Sequence, residues 1–199
     1  MNREHTDKRE FYLSAFRSFE ERLNGEKTTP LHAIRQRAID AVAEFGFPGG
    51  RDEDWRHTNL ANVTRTEFVP ASHRGFISVD VAPLSFEDFG GIELVFINGQ
   101  FCETSSSFRN LPAGVRISDL ASAASDDADI LSAHLCQHAP YEDTPGFTAL
   151  NTAFVRDGAF VHVPQYVELE MPIHVIYLST SVGAGTAGTP SASFPRTLV

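Results

Sequence analysis

The fold is decided by one stretch of sequence, Ala159-Phe-Val-His-Val-Pro-Gln-Tyr-Val-Glu-Leu-Glu-Met-Pro-Ile-His-Val-Ile-Tyr-Leu178. It contains three runs rich in β-branched and aromatic residues, each of which predicts a strand, at 159–163, 167–171 and 173–178. Pro164 and Pro172 separate these runs at short, even spacing. In the middle run apolar residues alternate with Glu168 and Glu170, which predicts one buried face. Such strands are typical of a solenoid or β-helix, and a β-sandwich also fits.

Helices are predicted ahead of this stretch. Thr29 is a suitable N-cap, Pro30 occupies the first helical position and Gly46 supplies the stop, so a helix is expected between them. An earlier helix is expected to begin at Asp7, which forms a capping-box-like pair with Glu10. Further helices are expected after Ser118-Asp119, at about 126–137 and at 148–154.

Between these helices the pattern changes to short strands. Alternation predicts strands at 63–69, 76–81, 92–97 and 114–117. Asn98-Gly99 predicts a tight hairpin turn. We therefore expect an α+β fold in which residues 1–145 form a helical and α/β region and residues 146–199 begin a strand-rich core. The last residues, 194–199, resemble the start of a strand without a polar cap, so the chain is expected to be the front part of a longer protein.

Composition and charge exclude several kinds of partner. The 199 residues have a net charge of -10, and residues 67–199 carry this deficit with 5 Lys/Arg against 15 Asp/Glu. Because the chain has no run of clustered Lys/Arg, nucleic acid and anionic membranes are not expected partners. No apolar run approaches the roughly 18 residues that a membrane-spanning helix needs. The polar start of the chain and its two cysteines indicate a reducing, cytoplasmic setting.

Candidate metal ligands and catalytic groups are few. His134, Cys136 and His138 form the most metal-like cluster, but on a helix Cys136 faces away from the two histidines. His162 and His174 lie in the late strands without the second ligands that a metal cage needs. There is neither a Gly-x-Ser-x-Gly elbow nor a phosphate-binding glycine loop. The sequence therefore predicts no catalytic, cofactor-binding or metal-binding residue.

The most distinctive segment contains the single tryptophan of the chain, between acidic and basic residues. One interpretation is a capped turn in which Trp55 anchors the second helix to the α/β region. The other is a docking surface, because Trp and Arg are enriched in binding hot spots. The residues that would form such an anchor or docking surface are Arg51, Glu53, Trp55, Arg56 and Thr58.

The same segment carries a family resemblance. Gly46-Phe-Pro-Gly-Gly-Arg-Asp-Glu-Asp-Trp-Arg-His-Thr-Asn-Leu60 resembles the signature near the front of SufD-like members of the SufB/SufD family. Phe96-Ile-Asn-Gly-Gln-Phe101 is similar to the family's hairpin. The run from Phe147 to Pro164 is similar to the entry into the family's core, and Val167 to Tyr177 continues the match.

The resemblance implies a function. Family members are subunits of the SUF system for iron–sulfur cluster assembly, with an N-terminal helical and α/β region that leads into a right-handed parallel β-helix. The resemblance implies a non-catalytic scaffold that pairs with SufB and with the SufC ATPase. The nascent cluster and ATP would be handled by the complex, and no cofactor is expected in this segment.

Two other functions fit the pattern. A carbohydrate-active β-helix enzyme, a lyase or acyltransferase, would need polar side chains that converge on one face. Between 159 and 178 the available side chains for this are His162, Glu168, Glu170 and His174, with no Lys or Arg to polarise a sugar acid. A stand-alone adaptor that binds partners through the apolar stripes of its helices is the second alternative.

Overall fold

The computed structural model describes residues 3–23, 26–50, 52–71, 79–86, 90–108, 110–139, 146–180 and 189–199. The helices in these ranges are α1 Arg3–Glu20, α2 Pro30–Phe45, α3 Ala61–Arg65, α4 Leu120–Asp126, α5 Ala128–His134 and α6 Phe147–Phe154. The strands are β1 Val69–Pro70, β2 Ile92–Ile97, β3 Gln100–Phe101, β4 Arg116–Asp119, β5 Ala159–His162, β6 Ile173–Leu178 and β7 Ser191–Ala192. The protein is therefore an α+β fold, as the sequence predicts.

The chain divides into two units. The first unit is built from Met1–Pro70, Asp129–Val155 and Gly188–Pro190, and the second from Ala71–Ala128, Arg156–Ala187 and Ser191–Val199. Helices dominate the first unit and short sheets the second. The predicted division of the sequence at residue 145 stays a prediction.

Helix α2 has the termini that the sequence predicts. The Thr29 hydroxyl accepts a hydrogen bond from the His32 N–H at 3.2 Å, and Pro30 is the first helical residue. Gly46 ends the helix with φ of 70° and donates its N–H to the Val42 carbonyl. The predicted start of α1 at Asp7 is wrong, since α1 begins at Arg3. The charged residues before Asp7 are good helix formers and extend the helix backwards.

An aromatic cluster holds the helices of the first unit together. The Phe154 ring of α6 lies between 5.6 and 6.5 Å, centroid to centroid, from three rings of α1, those of Tyr12, Phe16 and Phe19. All four side chains are buried. Edge-to-face packing of this kind adds to the free energy gained from removing the rings from water.

The first sheet of the second unit is centred on β2. Asn98 and Gly99 form the hairpin turn to antiparallel β3 with φ of 50° and 77°, which confirms the predicted turn. On its other side β2 pairs with β6 in parallel, with Ile92 opposite Ile173 and Ile97 opposite Leu178. The predicted strands at 92–97 and 173–178 are therefore confirmed.

The second sheet of this unit is centred on β5. Strand β4 pairs with β5 antiparallel, and Phe160 pairs in parallel with Leu198 on the other edge. Side chains of both sheets pack into one apolar cluster, which contains Ile92, Leu94, Phe96, Val115, Ile117, Ala159 and Val161. The predicted strands at 114–117 and 159–163 correspond to β4 and β5, shifted by one or two residues.

Several element predictions are wrong. Residues 63–69 were expected to form a strand, but 61–65 are helical in α3, because the Asn59 side chain accepts the Ala61 N–H at 3.0 Å and starts a turn. The predicted strand at 76–81 lies partly outside the described residues, and 79–81 form no strand. The predicted helix at 126–137 is shorter, since α5 ends at His134 and Cys136 adopts a φ of 68°.

The segment 167–171 has the predicted buried and exposed faces, but it does not pair with a neighbouring strand among the described residues. Val167, Leu169 and Met171 pack against the apolar cluster, while Glu168 and Glu170 are exposed. No ladder of backbone hydrogen bonds joins this segment to another described segment. The two flanking prolines have no N–H to donate to such a ladder.

None of the helices in the described part of the chain is both long enough and apolar enough to cross a bilayer.

Candidate functional site

A basic groove of about 750 Å³ opens in the first unit. It is lined by Lys8, residues 48–50 and 56–61, Thr64, Arg65 and Glu67. Its wall therefore combines two parts of the chain that are far apart in sequence. One is α1, and the other is the continuous stretch that follows α2 and extends through α3 to Glu67. The segment 48–61 supplies most of the lining, and it is the segment that the sequence singles out.

Successive turns shape the segment that lines the groove. The Gly49 N–H donates to the Asp52 carboxylate at 2.6 Å, and the Asp52 N–H donates back to the Gly49 carbonyl at 3.0 Å. The Trp55 N–H then donates to the Asp52 carbonyl, and the Thr58 N–H to the Trp55 carbonyl. These hydrogen bonds each span three residues and include one turn of 3-10 helix at Glu53–Trp55, so the backbone of the segment stays compact.

Trp55 lies on the side of this segment that faces α6. Its ring centroid is 5.7 Å from that of Phe147, with the planes at 66°, and Phe147 in turn contacts Phe47. The tryptophan is half-buried. This contact ties the segment to the first helical turn of α6, whereas the sequence interpretation named the second helix and the α/β region as the parts it would join.

Ionic contacts line the groove. Lys8 Nζ is 2.7 Å from the Glu67 carboxylate, and Arg56 Nη1 is 2.7 Å from the Glu53 carboxylate. Arg56 Nε also donates to His57 Nε2 at 2.9 Å. Arg65, the last residue of α3, has no ion-pair partner within the ranges that the structure describes. Three cations and one carboxylate, that of Glu67, therefore belong to the lining.

The structure brings together part of the predicted set. Arg56 and Thr58 line the groove, Glu53 contacts Arg56 at its edge, and Trp55 points to α6. Arg51 lies outside the described residues. An anchor or docking role for this set stays a prediction. Sequence reasoning missed further lining residues, of which Lys8, Arg65 and Glu67 are charged. Only the fold brings α1 to this segment, and only the fold turns α3 and Glu67 toward the same groove.

The strand histidines occupy separate environments. His174 Nδ1 is 3.2 Å from the Glu93 carboxylate, which also accepts the Ser85 hydroxyl at 2.8 Å, and the Phe86 ring covers the imidazole. His162 lies in β5, and its Nδ1 is buried without a hydrogen-bond partner in the described part of the chain. In Ser85–Glu93–His174 the carboxylate is the shared partner of the hydroxyl and the imidazole, which differs from the serine–histidine–carboxylate order of a nucleophilic triad.

The metal-like cluster does not form a chelate. Among the residues that the structure describes, no three or more His, Cys, Asp or Glu side chains are arranged to hold a metal ion. His134 ends α5, whereas Cys136 lies in the following turn with its Sγ 3.9 Å from the Thr152 hydroxyl. Both cysteines are free thiols.

Cys102 has the more perturbed thiol. Burial raises the pKa of Cys102, but hydrogen bonding with the side chains and backbone of Ser105 and Thr104 lowers it by more, so the pKa lies below its usual 9.0. The Sγ is 3.3 Å from the Ser105 hydroxyl. No base or metal ligand accompanies it in these contacts, which lie within the turn at Glu103–Ser105.

Most of the chain matches a known protein family. Residues 6–175 match the family described as the SufBD protein N-terminal region, which is most of the chain. The chain belongs to this family. The resemblance that the sequence motifs indicate is thereby confirmed, and the 48–61 segment that lines the groove lies within the match.

Curated relatives agree with this assignment. An iron–sulfur cluster assembly SufBD family protein of Synechocystis sp. is 32% identical over 182 residues, which is 89% of this chain and 38% of the relative. The iron–sulfur cluster assembly protein SufD of Bacillus subtilis is 32% identical over 155 residues, 76% of this chain and 35% of the relative. Protein ABCI7, chloroplastic, of Arabidopsis thaliana is 22% identical over 191 residues, which is 95% of this chain and 39% of the relative. The chain spans less than two-fifths of each relative.

Proposed function

We propose that this SufBD-family chain is the N-terminal region of a non-catalytic scaffold subunit for iron–sulfur cluster assembly. The observation that carries the proposal is the family match over residues 6–175. Two relatives with 32% identity bear iron–sulfur cluster assembly in their names, which supports the same process for this chain. Within that process the proposed partners are a SufB-like subunit and the SufC-like ATPase.

The strands of the second unit are proposed to be the first coils of a right-handed parallel β-helix. Two parallel pairings support this: β2 with β6, and Phe160 in β5 with Leu198. The Val161 N–H donates to the Leu198 carbonyl and the Leu198 N–H to the Ala159 carbonyl, both at 2.9 Å. Because β-sandwiches are built from antiparallel sheets, parallel neighbours favour the solenoid over the sandwich.

The subunit is proposed to act through protein contacts. The polar side chains that an enzyme on this β-helix would need do not meet: His174 contacts Glu93 and Phe86, and Glu168 and Glu170 point outward from the apolar cluster. The nascent cluster and ATP are assigned to other subunits of the complex, with no cofactor in this segment. An acidic chain of net charge -10 suits protein partners in the cytoplasm better than nucleic acid or anionic membranes.

Deletion of the gene in the organism that encodes the chain tests this function. We expect the activity of an iron–sulfur enzyme such as aconitase to fall while its polypeptide remains at the same level, because the apoprotein lacks its cluster. Malate dehydrogenase, which holds no cluster, is the matched control and should be unaffected. Unchanged aconitase activity under iron limitation would refute the proposal.

A further inference from the structure

The basic groove concentrates positive charge in an acidic protein. Lys8, Arg56 and Arg65 line it together, although the chain carries ten more acidic than basic residues. Residues 1–66 as a whole hold equal numbers of acidic and basic residues, so the excess in the groove arises from the fold. A local field of this sign favours anionic ligands.

The cations of the groove remain accessible. The Lys8 and Arg56 side chains are 24% and 55% exposed, and their carboxylate partners Glu67 and Glu53 are 50% and 81% exposed. Exposed ion pairs contribute little to stability, so a ligand carboxylate can replace the internal one at little cost. Arg65 has no described ion-pair partner to displace.

The arrangement fits several carboxylates better than one small anion. Lys8 lies in α1, Arg56 in the turns after Trp55 and Arg65 at the end of α3. Lys8 and Arg56 contact two different carboxylates, so their charged groups do not converge on one acceptor. Pro48 and Leu60 add apolar wall between the charged groups. A cavity of about 750 Å³ is within the range of pockets that hold a drug-sized ligand, so it has room for a short part of a peptide.

We propose that the basic groove binds an acidic peptide segment of a partner protein. The carboxylates of the segment pair with Arg56, Arg65 and Lys8, and its aliphatic side chains lie against Pro48 and Leu60. Guanidinium groups favour carboxylates because they can donate two parallel hydrogen bonds. This inference concerns a surface of the first unit and does not depend on the proposed role in cluster assembly.

Fluorescence anisotropy of a labelled peptide tests the proposal on the 199-residue chain. The probe is a fluorescein-labelled peptide in which Glu and Asp alternate with Leu and Ala, and its control replaces every Glu by Gln and every Asp by Asn. We expect saturable binding of the acidic peptide alone. The signal should disappear in about 1 M sodium chloride, where exposed charges are screened beyond about 3 Å.

Charge-removing variants locate the binding. Arg56→Gln and Arg65→Gln should each weaken binding about tenfold, the equivalent of one charge-assisted hydrogen bond. Arg37→Gln makes the same change at an exposed position of α2 outside the groove and should leave binding unchanged. Circular dichroism of each variant confirms that the helices are retained.

Three results would overturn the proposal. Equal binding of the charged and neutral peptides would show that the carboxylates do not contribute to binding. Equal losses in Arg37→Gln and Arg65→Gln would show that net charge, and not the groove, attracts the peptide. Displacement of the peptide by millimolar inorganic phosphate, under conditions where millimolar sodium chloride does not displace it, would assign the groove to small anions instead.

Discussion

Asp157 is a buried carboxylate that hydrogen-bonds two segments of the second unit. Its side chain is 6% exposed and accepts hydrogen bonds from the N–H groups of Phe101 and Gly158, both at 2.7 Å. Burial raises the pKa of Asp157 from its usual 3.8 to about 6; the neighbouring Asp119 adds to this rise, and the backbone donors oppose it. One side chain thus links the hairpin strand β3 to the start of β5.

The free energy of unfolding should depend on pH through Asp157. Because the folded-state pKa lies above that of the unfolded chain, the folded state holds this proton more tightly between pH 4 and 6. Stability from this group is therefore present below about pH 4 and is lost as the pH rises through 6, by about 3 kcal/mol in total. Urea unfolding at a series of pH values measures it.

The variant Asp157→Asn isolates the contribution of Asp157. Because the substitution removes the titrating group, the decrease in the free energy of unfolding with rising pH should be smaller by the part that Asp157 contributes. The amide also replaces one acceptor oxygen and weakens one hydrogen bond from the backbone. Asp129→Asn makes the same chemical change at an exposed position in α5. If Asp157→Asn keeps the wild-type slope between pH 4 and 6, the assignment to Asp157 is wrong.

Arg35 is the buried cation of the first unit. It is 1% exposed, donates from Nε to the Val155 carbonyl at 2.8 Å and from Nη1 to Glu26 at 3.1 Å, and lies over the Phe19 ring. Arg35→Met keeps the aliphatic stem but leaves these acceptors without the donor. We expect a loss of about 2–4 kcal/mol in the free energy of unfolding.

The control for Arg35 lies on the same helix. Arg37 is exposed on α2, so Arg37→Met should change the free energy of unfolding by no more than about 0.5 kcal/mol. Urea denaturation followed by circular dichroism compares the two. Equal stability of the Arg35 and Arg37 variants would contradict the structural role of the buried guanidinium.

Among the elements, those with local signals could be predicted from the sequence. The limits of α2 follow from Thr29, Pro30 and Gly46, and the hairpin follows from Asn98-Gly99, because caps and tight turns depend on neighbouring residues alone. The predicted strand at 167–171 is wrong because strand formation depends on residues that are distant in sequence. Its alternation sets which side chains are buried, but a strand also needs a hydrogen-bonding neighbour that local sequence does not specify.

Part of the groove could be predicted in the same way. The unusual composition around Trp55 draws attention to Arg56 and Thr58, and both line the groove. Lys8 and Glu67 are ordinary charged residues in their local sequence, and only packing brings them within 2.7 Å of each other. The sequence therefore indicates the segment but not the opposite wall of the groove.

Gly158 controls the strand pairing of β5. It has φ of 152°, and a Cβ at this position would overlap the carbonyl oxygen of Arg196 on the neighbouring segment. Gly158→Ala should therefore force the 196–198 segment away from β5 and lower the free energy of unfolding by about 2–4 kcal/mol. Amide hydrogen exchange of Val161 and Leu198, which hydrogen-bond across this pair, should accelerate.

A second glycine provides the control for this effect. A Cβ at Gly50 would meet nothing within 4 Å, so Gly50→Ala should be close to neutral. If exchange at Val161 and Leu198 is the same in the Gly158 and Gly50 variants, the parallel pairing of this segment with β5 does not hold in solution.

For the whole molecule, charge and architecture support a protein that works through contacts. The acidic excess lies in residues 67–199, which include the strands of the second unit, whereas residues 1–66 balance their charges and form most of the basic groove. Subunits of opposite local charge associate faster and select their partners more strictly than neutral ones. If the proposed scaffold function is right, two such regions would let the chain bind more than one partner.

Affinity purification from the native organism tests the scaffold assignment most directly. With the protein tagged at its chromosomal locus, we expect a SufB-like and a SufC-like subunit to be recovered in comparable molar amounts, as measured by quantitative mass spectrometry, and absent from an untagged strain. Recovery of the tagged protein without either subunit, under conditions where both are expressed, would contradict the account.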